Sequence, residues 1–138
     1  MLDETTALVI ERDNGVGTAD KACADPKKPQ ADCFDVPSKV KRIYKIAFDD
    51  SNVGKEVRKI GYIDLLAIAD PENKRRQGGR EGIYDMPFLT IENVDRVDDT
   101  HIVVGNDNNL PFSAGRFLDK VDDNEFVLLE VGEFLKAE

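Results

Sequence analysis

The sequence has little positive charge. Its 19 Lys and Arg face 28 Asp and Glu, so the formal net charge is −9 and the pI is about 4.6. A phosphate backbone needs a basic face, which excludes nucleic acid as the main ligand. The same balance argues against an anionic membrane surface. Long apolar runs are missing too: no stretch approaches the roughly 18 residues of a membrane span. Residues Met1 to Thr6 show neither a basic nor an apolar region, so no secretory signal is read there. Apolar residues make up 41% of the 138-residue chain, slightly below the usual globular share, so its single core is expected to be thin.

Several chemistries lack their residues. Serine occurs only at Ser38, Ser51 and Ser113, none in a G-x-S-x-G elbow, and His101 is the only histidine. Ser113 with His101 is the one triad pair available. His101 opens a strand after a turn and reads better as an edge residue than as a base. Gly15-Val16-Gly17 has no third glycine and no helix after it, so dinucleotide binding is unsupported. The acidic and amide run from Asn106 is not an EF-hand, because Pro111 stands where that loop needs glycine and no glutamate closes it.

Strand signals dominate what remains. Thr6 to Arg12 is β-branched and apolar, and Asp13-Asn14-Gly15 turns the chain. This strand starts so early that an upstream part of the polypeptide is expected. Lys39 to Phe48 reads as a strand with Arg42, Tyr44, Ile46 and Phe48 on one face. Glu56 to Ile63 is extended, and Ile63 to Asp70 is the one plausible helix, stopped by Pro71. Pro71 to Gly82 forms a polar loop with Lys74, Arg75, Arg76 and Arg80. Phe88 to Val97, a turn at Asp98-Asp99-Thr100, His101 to Gly105 and Glu125 to Val131 give three further strands, and Glu133 to Glu138 is a tail.

The expected class is therefore all-β and antiparallel. Meandering units of about 40–50 residues suggest β-propeller blades. Two are visible, from Leu2 to about Ile63 and from Phe88 to Val131. Four blades would need roughly 160 residues, so residues 1–138 are expected to be the C-terminal part of an incomplete propeller, with a cysteine-loop insertion over about 15–37.

Cys23 and Cys33 flank a polar loop holding Pro26 and Pro29. A metal site would want more soft ligands or closer pairs. A disulfide is the better reading, against two unpaired thiols in an insertion. It implies an oxidising compartment, periplasmic or extracellular.

Oxygen-rich clusters stand at the strand ends. Glu11 with Asp13 and Asn14, Glu92 with Asn93, Asn106 with Asp107, Asn108 and Asn109, and Asp122 to Glu125 offer the carboxylate and amide oxygens that calcium prefers. Glu11, Glu92, Asn106 and Asp107 are the candidate metal ligands, reaching a shared axis from different blades. Turn residues satisfying their own backbone are the competing reading, the stronger one for Asp122 to Glu125. Arg116 and Asn108 are candidates for binding an anionic substrate. The basic run at Lys74 to Arg80 is a candidate phosphate contact, against a solvated loop.

Leu8-Val9-Ile10-Glu11-Arg12-Asp13, Lys41 to Ile46, Gly61 to Leu66, Thr90 to Asp95, Asn106 to Arg116 and Asp122 to Phe126 together resemble the bacterial family called esterase-like activity of phytase. The resemblance implies a secreted or periplasmic β-propeller with calcium-dependent phytase-like or esterase-like hydrolysis, acting on a small anionic ester. It also implies N-terminal blades that this sequence lacks. Metal-activated water would then replace a protein nucleophile. The alternative is a non-catalytic calcium-binding or interaction propeller module.

Overall fold

The computed structural model describes residues 1–28, 31–109 and 113–138. Pro29 of the cysteine loop, and Leu110, Pro111 and Phe112 of the amide-rich block, lie outside the described residues. The elements are β1 (Thr6–Arg12), β2 (Lys41–Ala47), β3 (Arg58–Asp64), β4 (Ile68–Asp70), β5 (Gly82–Tyr84), β6 (Ile91–Arg96), β7 (His101–Asn106), β8 (Phe126–Glu130) and α1 (Gly132–Lys136).

The protein is all-β and its sheets are antiparallel. Two three-stranded meanders, β1-β2-β3 and β6-β7-β8, are joined through the β4-β5 hairpin, and no sheet closes on itself among the described residues. The meanders coincide with the two units legible in the sequence. Their inner faces meet. Ile43 of one and Ile91, Ile102, Val104 and Leu129 of the other form the core with Leu65, Tyr84, Met86 and Phe88 from the connection between them. Burying such side chains is worth about 1.5–3 kcal/mol each, and that drives the two sheets together.

The strand over Lys39 to Phe48 has an unusual inner face. Register pairs Leu8, Lys45 and Gly61, then Ile10, Ile43 and Ile63, on the inward side. Lys41 and Lys45 therefore point inward, and both ammonium groups find carbonyls. Lys41 Nζ donates to Asp13 O (2.8 Å) and Gly15 O (2.9 Å) and pairs with Asp13 Oδ1 at 3.0 Å. Lys45 Nζ donates to Leu135 O (2.6 Å) and Ala137 O (2.7 Å) at the end of α1. The expected Glu133–Glu138 tail is thus partly helical: α1 docks on the first sheet through Lys45 and packs Phe134 and Leu135 against the core.

No helix forms over Ile63 to Asp70. Ile63 and Asp64 finish β3, the Asp64 carboxylate accepts the Leu66 N–H (3.0 Å), and Ala67 N–H closes the turn on Asp64 O (3.2 Å). Leu65 then plugs the core completely, and Ile68 to Asp70 pair with β5. A short apolar run fits either element, and here the aspartate's bond to its own backbone favours the turn.

The insertion between β1 and β2 is clamped at its root. Asp13 Oδ2 accepts the N–H groups of Lys39 (2.7 Å) and Val40 (2.9 Å), and Asp13 N–H donates to Val40 O. Cys23 and Cys33 are disulfide-bonded, and Ala22 bridges Phe34 beside them. Gly17, at φ +84, lies where a Cβ would stand 2.1 Å from the Phe34 ring. The paired glycines here serve packing.

Candidate functional site

The loop from Ser113 to Glu125 is shaped by one aspartate. Both Asp122 carboxylate oxygens accept the Gly115 N–H at 2.8 Å, and Oδ1 also accepts the Arg116 N–H at 3.1 Å. This fixes Arg116, which is 5% exposed. Its Nε donates to Glu125 Oε1 (2.8 Å) and Nη2 to Glu125 Oε2 (2.9 Å), a two-pronged pairing that a guanidinium makes well. Nη1 reaches Asp85 Oδ1 at 3.1 Å, and Nη2 also donates to Asp85 O at 2.7 Å. Tyr84 and Phe88 rings lie 5.3 and 5.0 Å from the guanidinium carbon. Burial opposes the charge of Arg116, but the hydrogen bond and charge of Glu125 outweigh it and raise the guanidinium pKa further.

Glu125 has two more partners. Gln77 Nε2 donates to Oε1 (2.7 Å) and Tyr84 Oη to Oε2 (2.8 Å). Burial, then the Glu125 charge, push the Tyr84 phenol far above its ordinary pKa, so it stays a donor. Gly78 makes room for the assembly: at φ +71, a Cβ there would stand 1.5 Å from Arg116 Nη1.

This network separates two grooves. One, of about 530 Å³, runs between the insertion and the 78–80 turn, with Lys21, Arg80, Asp85, Arg116 and Phe117 on its walls. Lys21 Nζ touches Arg116 O at 3.4 Å and stands 5.9 Å from the Phe117 ring centre. Arg80 makes no ion pair within 4.0 Å among the described residues. Asp20 lines the same groove and is their counter-charge. The Thr18 side chain, then Lys21 and Arg80, hold its carboxyl below the usual range. The second groove, of about 930 Å³, lies between the β4 segment and the outer edge of β8.

The sequence candidates are held by partners of their own. Glu11 pairs with Lys59 at 2.5 Å and Glu92 with Arg12 at 3.8 Å. Glu92 is the extra residue of a β-bulge between Ile91 and Asn93, a device that re-aims a side chain. Asn106 is 2% exposed and ties β7 to the last loop, accepting Glu125 N–H at 2.8 Å and donating to Asp123 O at 3.2 Å. Asp107 is exposed, and its backbone is bonded to Thr90. Asn108 bonds Asn124 Oδ1 through its N–H and accepts from Ser113 Oγ at 2.6 Å. Among the described residues, no three His, Cys, Asp or Glu are placed to share a metal ion. Calcium is a hard cation that takes six to eight oxygens. Among the described residues, Glu11, Glu92, Asn106 and Asp107 do not form a ready cage for it.

Ser113 and His101 do not meet. Ser113 is bonded to Asn108, while His101 Nδ1 contacts Thr100 and Asp98 in its own turn. Of the basic run, Lys74 pairs with Glu72 and Arg75 with Asp70, each at 3.1 Å, while Arg80 faces the smaller groove. Arg116 lines the groove with its charge already balanced by Asp85 and Glu125. Sequence reading missed Lys21, Asp85 and Tyr84. Their residue types carry no motif, and only the fold gathers them.

A family model described as Phytase-like, esterase-like activity of phytase, matches residues 1–110. No curated protein and no solved structure matches the chain. The chain belongs to the esterase-like activity of phytase family. Arg116, Asp122 and Glu125 lie beyond the matched residues.

Proposed function

With that membership as premise, we propose that the chain is part of a hydrolase of phosphate or carboxylic esters, and that the smaller groove seats the substrate's anionic group. The observation that carries this is the pair of cations, Lys21 and Arg80, on a groove whose back wall is the buried Arg116 network. Two exposed cations over a rigid wall hold an anion without first breaking an internal ion pair. Arg116 acts behind them, keeping Asp85 and Glu125 in place. Each three-stranded meander corresponds to one propeller blade, as the unit length and inner-face packing support. The Cys23–Cys33 disulfide supports an oxidising, periplasmic or extracellular setting.

A second reading is a non-catalytic binding module. It is favoured by one observation: Ser113 and His101 are each engaged elsewhere, so among the described residues no nucleophile–base pair lines the groove. An aryl phosphate and an aryl carboxylate ester, assayed with and without added calcium, separate the two. Turnover that falls at least tenfold in Lys21→Gln/Arg80→Gln supports the hydrolase (about 1.4 kcal/mol per tenfold). Anion binding without turnover leaves the module, and turnover unchanged in the double variant rejects the groove.

A further inference from the structure

Part of the smaller groove's wall is apolar. Beside the two cations stand Leu66, Pro87 and the ring of Phe117. Phe117 is large and apolar, yet 38% exposed. Its position is fixed from the chain outward. Asp122 accepts the N–H groups of Gly115 and Arg116 just before it, and a bridge to Lys120 closes the turn after it. An aromatic ring held on a pinned loop, and left out of the core, is a surface on which another planar group can stack. Gly78 and Gly79 add only backbone to the wall, so no side chain narrows the groove there.

The cations and the ring lie within one small ligand of each other. Lys21 Nζ stands 5.9 Å from the Phe117 ring centre. An anion hydrogen-bonded to Lys21 therefore carries the group attached to it up to the ring. Lys21 and Arg80 make no ion pair within 4.0 Å among the described residues, whereas Lys120, also beside Phe117, is paired with Asp123 at 2.7 Å.

The charges limit what else the groove takes. Asp20 is exposed on it, and Asp85 is held by Arg116. Lys21, Arg80 and Arg116 against Asp20 and Asp85 leave one positive charge in excess. A single phosphate meets that. Further phosphates on the same ligand would be set against Asp20 and Asp85, in a chain of net charge −9, where like charges repel. A polyol would also turn hydroxyls toward Leu66, Pro87 and Phe117 and gain nothing from their apolar area.

We propose that the groove selects a phosphate ester with one phosphate and an aromatic body, over a polyol bearing many phosphates. The phosphate lies on Lys21 and Arg80, the aromatic ring stacks on Phe117, and Phe117 sets the substrate class. This rests on the anion groove proposed above.

Titration calorimetry on the full chain tests it with inorganic phosphate, phenyl phosphate and inositol hexakisphosphate. Phenyl phosphate should bind about tenfold or more tightly than inorganic phosphate, ring pairing adding to burial. Phe117→Ala should bring phenyl phosphate to within about twofold of inorganic phosphate and leave inorganic phosphate as in the wild type. Phe117→Tyr keeps a ring and should keep the preference. Inositol hexakisphosphate should bind no tighter than phenyl phosphate. Inorganic phosphate that binds with no aryl preference, or a preference that survives Phe117→Ala, overturns the proposal and leaves the anion groove standing. Tighter binding of the hexakisphosphate does the same. Loss of inorganic phosphate binding in Phe117→Ala marks the ring as structural and also overturns it. If inorganic phosphate does not bind the wild type at all, the groove reading itself falls, and this proposal with it.

Discussion

Replacing Arg116 by methionine should damage the protein more than any surface change. The guanidinium is 4% exposed, and the Asp85 and Glu125 side chains it joins are 7% and 12% exposed. Four hydrogen bonds of 2.7 to 3.1 Å leave with it. Two carboxylates then stay in the interior without their counter-charge. Removing one partner of a buried pair costs about 3–5 kcal/mol, chiefly because the other is left uncompensated. A domain's total stability is about 5–15 kcal/mol, so the loss is a large fraction. With a urea slope of about 1–3 kcal/mol/M, the unfolding midpoint should fall by about 2 M. The double variant Arg116→Met/Glu125→Gln removes one of the stranded charges. It should recover at least about 1 kcal/mol over the sum of the two single effects, as coupled neighbours do. Urea unfolding followed by circular dichroism measures all four proteins. A loss below about 1 kcal/mol for Arg116→Met, within the range of ordinary substitutions, would refute the reasoning, as would additivity of the two changes.

Other consequences are smaller. Gly78→Ala places a Cβ on the Arg116 guanidinium at a positive φ, and should lower stability by at least about 1–2 kcal/mol from the backbone alone, seen as a lower melting temperature. Cys23→Ser/Cys33→Ser opens a ten-residue separation. It should cost about 3 kcal/mol on the chain-entropy estimate, read by comparing thermal unfolding with and without reductant. Acid should weaken the insertion's root. Burial alone would raise the Asp13 carboxyl, but Lys39 and Val40 N–H groups and the Lys41 ammonium overturn that and hold it below its ordinary value. A depressed carboxyl contributes fully above the unfolded pKa of about 3.9 and loses its contribution as pH falls through the folded value. Stability should therefore drop below about pH 4 in the wild type and more gently in Asp13→Asn, as followed by unfolding midpoints across that range.

Much of the fold is legible in the sequence. β1 occupies the residues its β-branched run marks, and the Asp98-Asp99-Thr100 turn joins two strands as its turn chemistry requires. Both meanders and the cysteine pair follow from the same reading. Ile63 to Asp70 misleads because eight residues of mixed apolar sequence fit a helix or two strand ends equally. Only the Asp64 carboxylate bonding its own turn decides between them. The site was harder to read. Asn106 reads as a ligand by residue type, but its amide is bonded on both sides to the Asp123–Glu125 segment. Arg116 stands out as a charge, but its partners Asp85 and Glu125 sit 31 and 9 positions away with no spacing rule to connect them. Lys21 looks like an ordinary residue of a solvated insertion until the fold sets it across the groove from residues 78–80.

The groove's affinity for an anion is best measured by amide chemical-shift mapping with inorganic phosphate on the full chain. Saturable shifts should centre on Lys21, Gly79, Arg80 and Phe117, and should vanish in Lys21→Gln/Arg80→Gln while the remaining spectrum is kept. Shifts centred instead on Glu92 and Asp107, or no saturable shift at all, would contradict the placement of the anionic group.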